Sequence, residues 1–180
     1  MPRQLDAQEV RELAANLKLL ILDVDGVLTD GGIILIGEDM EAKRFNVQDG
    51  MGIRLARTAG LLVAIITSRS STVVQRRSIE LGIDDVIQGM SDKTTGLEML
   101  LQKHGIARTE VAYIGDDLQD IPIMHQVGLP IAVQNAVQWV KDRSIHVTDA
   151  HGGHGAVREA VEWLLELRAE KDQVFKTITG

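Results

Sequence analysis

Two clusters of aspartate carry the chemistry open to this sequence: Asp23-Val24-Asp25-Gly26-Val27-Leu28-Thr29-Asp30 and Gly115-Asp116-Asp117-Leu118-Gln119-Asp120. Each follows an apolar run of strand length, Leu19 to Leu22 and Val111 to Ile114. Carboxylates at the end of a buried strand are costly unless something pairs them. A divalent cation does so, and a small set of hard oxygen ligands suits Mg²⁺. Asp116, nearest its strand, can share such an ion with Asp23, and Asp120 can orient a ligand or Lys93 from behind. Acids at a helix start are also favoured by the helix dipole with no ion present, a reading that fits Asp117 well.

Two further residues lie between the clusters. Thr67 ends the apolar run Leu61 to Ile66 and is followed by Ser68-Arg69-Ser70 at a helix start, where backbone N–H groups can receive an anion. Lys93 follows Ser91-Asp92 at another helix start and can add a point charge. Taken singly, a strand-end threonine and a lysine near a helix start are ordinary features. Their interest lies in the order Asp-x-Asp, Thr, Lys, Gly-Asp-Asp-x-x-Asp along the chain.

The elements that must position these groups are visible in the periodicity. Asp6 and Glu9 form a capping box before helical spacing at Val10, Leu13, Ala14 and Leu17. Strands are predicted at Leu19 to Leu22, Leu61 to Ile66, Val111 to Ile114 and Leu129 to Val133, with a weaker one at Asp85 to Gln88. Helices are predicted from Met51 to Ala59 capped by Asp49, from Ser70 or Ser71 to Leu81, over 92–104, and from Ala156 to Leu167. This alternation gives a doubly wound, parallel α/β sheet, in which ligands sit at the carboxyl ends of the strands. The segment 31–46 breaks the alternation and reads as an inserted β-hairpin around Gly37-Glu38-Asp39. Its first arm is apolar at consecutive positions, which points to oligomerisation. Residues 1–168 are expected to form one domain, and 169–180 a mobile C-terminal tail.

Composition narrows the classes. The 180 residues are 44% hydrophobic and 25% charged, as expected of a soluble globular domain. A net charge of −7 and 3% aromatics argue against nucleic-acid binding. The absence of cysteine removes thiol catalysis, disulfides and cysteine-ligated zinc. No apolar signal core or membrane-length run is seen, so a cytoplasmic location is expected. His151 and His154, in a glycine-rich loop with no further ligand nearby, read as structural residues.

In content and order the four motifs resemble those of the haloacid dehalogenase superfamily of phosphotransferases. The stretch from Asp23 to Asp30 is similar to its first motif, Thr67 to its second, Lys93 to its third and Gly115 to Asp120 to its fourth. The gaps between motifs are too short for a substrate-covering cap domain, so the resemblance is to the capless group. Phe45-Asn46-Val47-Gln48-Asp49-Gly50-Met51-Gly52 and Gly152-Gly153-His154-Gly155 are similar to stretches of that group's phosphatases of 3-deoxy-D-manno-octulosonate 8-phosphate, an intermediate of lipopolysaccharide synthesis. Ser68 departs from the glycine expected after the motif-two threonine.

The resemblance implies that Asp23 is a nucleophile forming an aspartyl-phosphate and that Asp25 is the general acid, then base. Mg²⁺ would be held by Asp23, Asp116 and the main-chain carbonyl of Asp25, with Thr67 and Lys93 on the phosphoryl oxygens. Asn46, Val47, Gln48, Asp49, Gly50 and Arg54 of a neighbouring subunit would join Asp25, Lys93, Arg69 and Arg77 around a phosphorylated sugar acid, within a homotetramer. A phosphatase of nine-carbon sugar-acid 9-phosphates remains an alternative within the same chemistry. A phospho-accepting signalling domain is disfavoured by the motif order, and a non-catalytic oligomerising module by the completeness of the motifs.

Overall fold

The computed structural model describes residues 5–38 and 40–180; residues 1–4 and Asp39, the last residue of the turn expected at Gly37-Glu38-Asp39, lie outside them. Asp6 accepts hydrogen bonds from the Gln8 and Glu9 amides, and Glu9 Oε2 accepts from the Asp6 amide, so helix α1 (Ala7–Ala15) starts at the predicted box. Strand β1 (Leu19–Leu22) is apolar on both faces because both are covered, and all four residues are buried. A hairpin of β2 (Ile34–Ile36) and β3 (Met40–Ala42) follows, and then helix α2 (Val47–Thr58).

The remaining elements alternate: β4 (Leu62–Ile66), α3 (Thr72–Leu81), β5 (Asp85–Ile87), α4 (Lys93–His104), β6 (Val111–Gly115), the short α5 (Ile121–Met124), β7 (Leu129–Ala132), the short α6 (Gln138–Lys141), β8 (His146–Val147), α7 (Ala156–Leu167) and α8 (Lys171–Thr179). Ser71 caps α3 and Gly82 ends it in the left-handed conformation, as the sequence predicts.

Six parallel strands form one sheet in the order β5-β4-β1-β6-β7-β8. In register, Leu22 of β1 lies between Ile65 of β4 and Ile114 of β6. The chain winds outward from β1 to β5, and α4 then carries it back across the sheet to β6. The strand order therefore reverses at β1 and β6, which opens a crevice at their carboxyl ends. The two aspartate clusters lie there.

Two expectations need correction. Residues 169–180 do not form a free tail: α8 docks on α2 and α7, with Val174 only 5% exposed and Phe175 and Ile178 packed behind it. Lys171 fastens it through ion pairs to Glu162 (2.8 Å) and Glu166 (2.6 Å). Three apolar residues in a polar stretch are a weak helical signal, and tertiary packing makes this helix.

Helix α2 begins four residues earlier than predicted, capped by Asn46, whose Oδ1 accepts from the Gln48 amide at 2.8 Å. Asp49, whose sequence position predicts that cap, instead turns its buried carboxylate to the start of α7. There it accepts from the Gly155 and Arg158 amides at 3.2 and 3.1 Å. Strand β8, two residues long at the sheet edge, has no counterpart among the predicted strands.

Candidate active site

Asp23 follows β1 directly, and its amide donates to the Ile114 carbonyl at 3.1 Å, extending the β1–β6 pairing to the carboxylate itself. Lys93, the first residue of α4, is brought to it from across the sheet. Its side chain is 3% exposed, and Nζ lies 2.9 Å from Asp23 Oδ1 and 2.6 Å from Asp120 Oδ1. Burial alone would lower the lysine pKa, but the Asp23 and Asp120 charges outweigh it and raise it, so the ammonium is retained.

Asp120 is saturated. Oδ1 accepts from Lys93 and from the Tyr113 hydroxyl at 2.6 Å, and Oδ2 accepts from the Asp116 and Asp117 amides at 2.8 and 3.1 Å. It thus fixes both Lys93 and the turn that aims Asp116. Asp117, as its sequence position suggests, caps that turn by accepting from the Leu118 amide at 2.7 Å.

Asp23, Asp116 and Asp120 present carboxylate oxygens within 4.8 Å of one another, the only such cluster among the described residues. With four donors already on Asp120, the free capacity for a cation belongs to Asp23 and Asp116. Asp116 Oδ1 is buried with no hydrogen-bond partner. Burial, then repulsion from Asp23, Asp120 and Asp117, pushes its pKa up to about 8. Burial also raises Asp23 to about 6, against the pull of Lys93. An orphaned carboxylate oxygen beside a second strained carboxylate fits a hard divalent ion, and the site suits Mg²⁺.

The backbone leaves room for this arrangement. A Cβ on Gly26, whose φ is +91°, would lie 2.0 Å from Asp116 Oδ2. Asn135 ties the turn down, donating to the Gly26 carbonyl at 3.0 Å and accepting from the Gly152 amide at 2.6 Å. The glycine-rich loop is thereby pressed against the first aspartate turn: a Cβ on Gly152 would overlap the Gly26 carbonyl oxygen, 1.7 Å away. His154 Nδ1 lies 3.0 Å from the Gly152 carbonyl within this loop, in keeping with a structural role.

Asp25 Oδ1 is ion-paired with Lys43, and Arg69 Nε stands 3.7 Å from Oδ2. Thr67 is buried at the end of β4, where its Oγ1 accepts from the Arg69 amide at 3.4 Å. Ser68, the departure from the expected glycine, donates to Gln119 Oε1 at 2.7 Å and so links the Thr67 turn to the Asp116 turn. Asp23, Asp25, Thr67, Arg69, Lys93, Asp116 and Asp120 therefore gather at one crevice from four strand ends.

The other predicted substrate residues are placed elsewhere in the single chain. Val47 is 82% exposed, and Gln48 and Arg54 are also exposed on α2. Asn46 caps α2, while Asp49 and Gly50 are buried in its first turn. Arg77 packs over the Phe45 ring at 5.9 Å and pairs with Glu80 at 3.1 Å.

The sequence reading missed Lys43, Tyr113 and Asn135. Asn135 carried a usable signal, as a polar group just past the carboxyl end of β7, whereas Tyr113 sits in the middle of β6 as the only hydroxyl in that strand. Lys43 carried none, since only the tertiary fold brings the hairpin over Asp25.

A model described as haloacid dehalogenase-like hydrolase matches residues 77–160. The chain is 47% identical over 165 residues to 3-deoxy-D-manno-octulosonate 8-phosphate phosphatase KdsC of Escherichia coli (strain B / BL21-DE3), covering 92% of this chain and 88% of that one. It is 45% identical over 159 residues to the protein of the same name from Yersinia pestis, covering 88% and 85%. Among solved structures, the phosphatase of the same description from Moraxella catarrhalis, in complex with magnesium ion, phosphate ion and KDO molecule, superposes with a TM-score of 0.91. The two are 43% identical, over 95% of this chain and 98% of that one.

Proposed function

This chain belongs to the haloacid dehalogenase-like hydrolases, and on that premise we propose that it hydrolyses 3-deoxy-D-manno-octulosonate 8-phosphate to the free sugar acid and phosphate. The observation that carries the reading is the pair Asp23 and Lys93 in the crevice, with Asp25 three residues beyond the end of β1.

In the proposed reaction, an Asp23 carboxylate oxygen attacks phosphorus and forms an aspartyl-phosphate while the bond to the sugar oxygen breaks. Asp25 gives its proton to the departing alkoxide, then takes one from the water that hydrolyses the intermediate. Thr67 and Lys93 bind phosphoryl oxygens, where transition-state charge collects, and Asp120 holds Lys93 still for that task. Asp23, Asp116 and the Asp25 main-chain carbonyl would hold Mg²⁺, which when bound neutralises phosphoryl charge.

The sugar-acid carboxylate needs a cationic partner, and Arg69 beside Asp25 supports one within the chain. Arg54 and the exposed start of α2 are proposed to serve the crevice of a neighbouring copy, with Arg77 bracing the Asn46–Gly50 segment through Phe45. The hairpin supports assembly: Ile33, Ile34, Leu35, Ile36 and Met40 are all exposed, Leu35 at 71%. Such a patch calls for burial against other copies, and a homotetramer is proposed. Among the described residues no helix is long and apolar enough to cross a membrane. Action in the cytoplasm on a lipopolysaccharide precursor is the proposed setting.

The test is phosphate release from the octulosonate 8-phosphate, nonulosonate 9-phosphates and hexose phosphates, with Mg²⁺ or excess EDTA. Mg²⁺-dependent preference for the eight-carbon acid supports the reading. Preference for a nine-carbon acid reassigns the substrate, and no release from any of them sinks the phosphatase assignment. Sedimentation of the same preparation tests the tetramer.

A further inference from the structure

The second arm of the hairpin delivers two charged side chains that the scheme above leaves without a task. Lys43, the residue after β3, has a side chain only 2% exposed, and its ammonium is ion-paired with Asp25 Oδ1. Glu41, within β3, receives Arg69 Nη2 at 3.3 Å, and Arg69 Nε lies 3.7 Å from Asp25 Oδ2. One oxygen of Asp25 is therefore gripped from the hairpin, and the other is faced only loosely by a half-exposed guanidinium. A lysine ammonium is rarely buried without a dedicated partner, and Lys43 has Asp25 for that partner. A carboxylate held at one oxygen cannot rotate freely, so the direction in which the other oxygen points is set by the hairpin.

Resting on the phosphatase reading, we propose that Lys43 is a positioning residue for proton transfer. By holding Asp25 Oδ1, it aims Oδ2 at the leaving-group oxygen. In the first transfer, the bond from Asp23 to phosphorus forms as the bond from phosphorus to the sugar oxygen breaks. Asp25, protonated on Oδ2 for this half-reaction, passes that proton to the sugar oxygen, so the sugar leaves as an alcohol and Asp25 is left as the carboxylate that Lys43 pairs. Lys43 touches neither phosphorus nor the leaving oxygen and acts only through Asp25. Its place on the hairpin gives this element a second role besides its exposed apolar face. The seating of the hairpin governs proton donation while Asp23, Lys93 and Asp116 stay as they are.

The leaving group provides the test. A sugar alkoxide needs a proton to depart, whereas p-nitrophenolate does not. Rapid-quench measurement of Asp23 phosphorylation is made for Lys43→Met and Lys43→Arg with the octulosonate 8-phosphate and with p-nitrophenyl phosphate. Lys43→Met is expected to slow transfer from the sugar phosphate about 100-fold, at the low end of what a general acid supplies, and to leave transfer from p-nitrophenyl phosphate within about threefold. Lys43→Arg should recover part of the loss.

Equal loss with both substrates, or no loss with either, overturns the proposal. A loss confined to KM for the sugar acid also overturns it and makes Lys43 a substrate contact. Should Lys43→Met fail to fold, the ratio of the two transfer rates in Lys43→Arg answers the same question. Wild-type protein that is phosphorylated on Asp23 by neither substrate overturns the phosphatase reading, and the Lys43 role with it.

Discussion

Replacing Asp120 by asparagine keeps shape and volume but removes the charge and one acceptor. In the native site both oxygens accept two hydrogen bonds each, from Lys93 and Tyr113 on one side and from the Asp116 and Asp117 amides on the other. An asparagine oxygen can serve one side only, and its NH₂ group then confronts two donors on the other. Two bonds to a charged acceptor are lost, at roughly 1.5–3 kcal/mol each, or about 3–6 kcal/mol together. The lost negative charge also relieves Asp116 and Asp23, returning on the order of 1 kcal/mol for a partly solvent-screened cluster. The net expectation is a destabilisation of about 2–5 kcal/mol, a large share of the 5–15 kcal/mol that typically holds a domain folded. Urea denaturation of the metal-free protein reads this, and Mg²⁺ titration of the folded variant reads the second consequence. If Asp120 only orients its neighbours, Mg²⁺ affinity falls modestly while stability falls sharply. Unchanged stability with abolished Mg²⁺ binding would show that Asp120 is itself a metal ligand and refute the reasoning.

The raised carboxylates predict a pH-dependent response to metal. With Asp23 at about 6 and Asp116 at about 8, against an ordinary 3.8, the native state holds protons that the unfolded chain has released. Ion-free stability from these groups therefore falls as pH rises from about 4 to about 8, and added Mg²⁺ should raise the melting temperature more at about pH 8.5 than at about pH 5.5; an equal rise at both pH values, followed by scanning calorimetry, contradicts it. Gly26→Ala would put a methyl group against Asp116 and force alanine to a φ of +91°, so Mg²⁺ affinity by calorimetric titration should drop at least about tenfold. Val174→Asp buries a charge where α8 meets α2 and α7, and urea denaturation should show a loss of roughly 3 kcal/mol; no change would mean that α8 contributes nothing to the fold.

The legibility of each part followed from how locally it is encoded. The buried strands read correctly because a parallel sheet covered on both faces demands uninterrupted apolar runs, and Leu19 to Leu22 and Val111 to Ile114 supply them. The caps at Asp6, Ser71 and Gly82 read correctly because capping is settled within four residues. Asp49 misled for the same reason: its type and position suit a local cap, and only the fold shows α7 close enough to take it. The helix over 171–179 was missed because its stability comes from what Val174 touches.

For the site, the chemical inventory is written locally in the chain: two aspartate turns, a strand-end threonine and a helix-start lysine, each following a strand of one doubly wound sheet. The topology rule for such sheets then brings those ends to one crevice. Tertiary structure alone decided how the charges share partners. It put Lys93 between Asp23 and Asp120, left one oxygen of Asp116 orphaned, and swung a hairpin across so that Lys43 meets Asp25. A pairing between residues far apart in the chain is fixed by packing angles and crossover paths. Local spacing carries no trace of those.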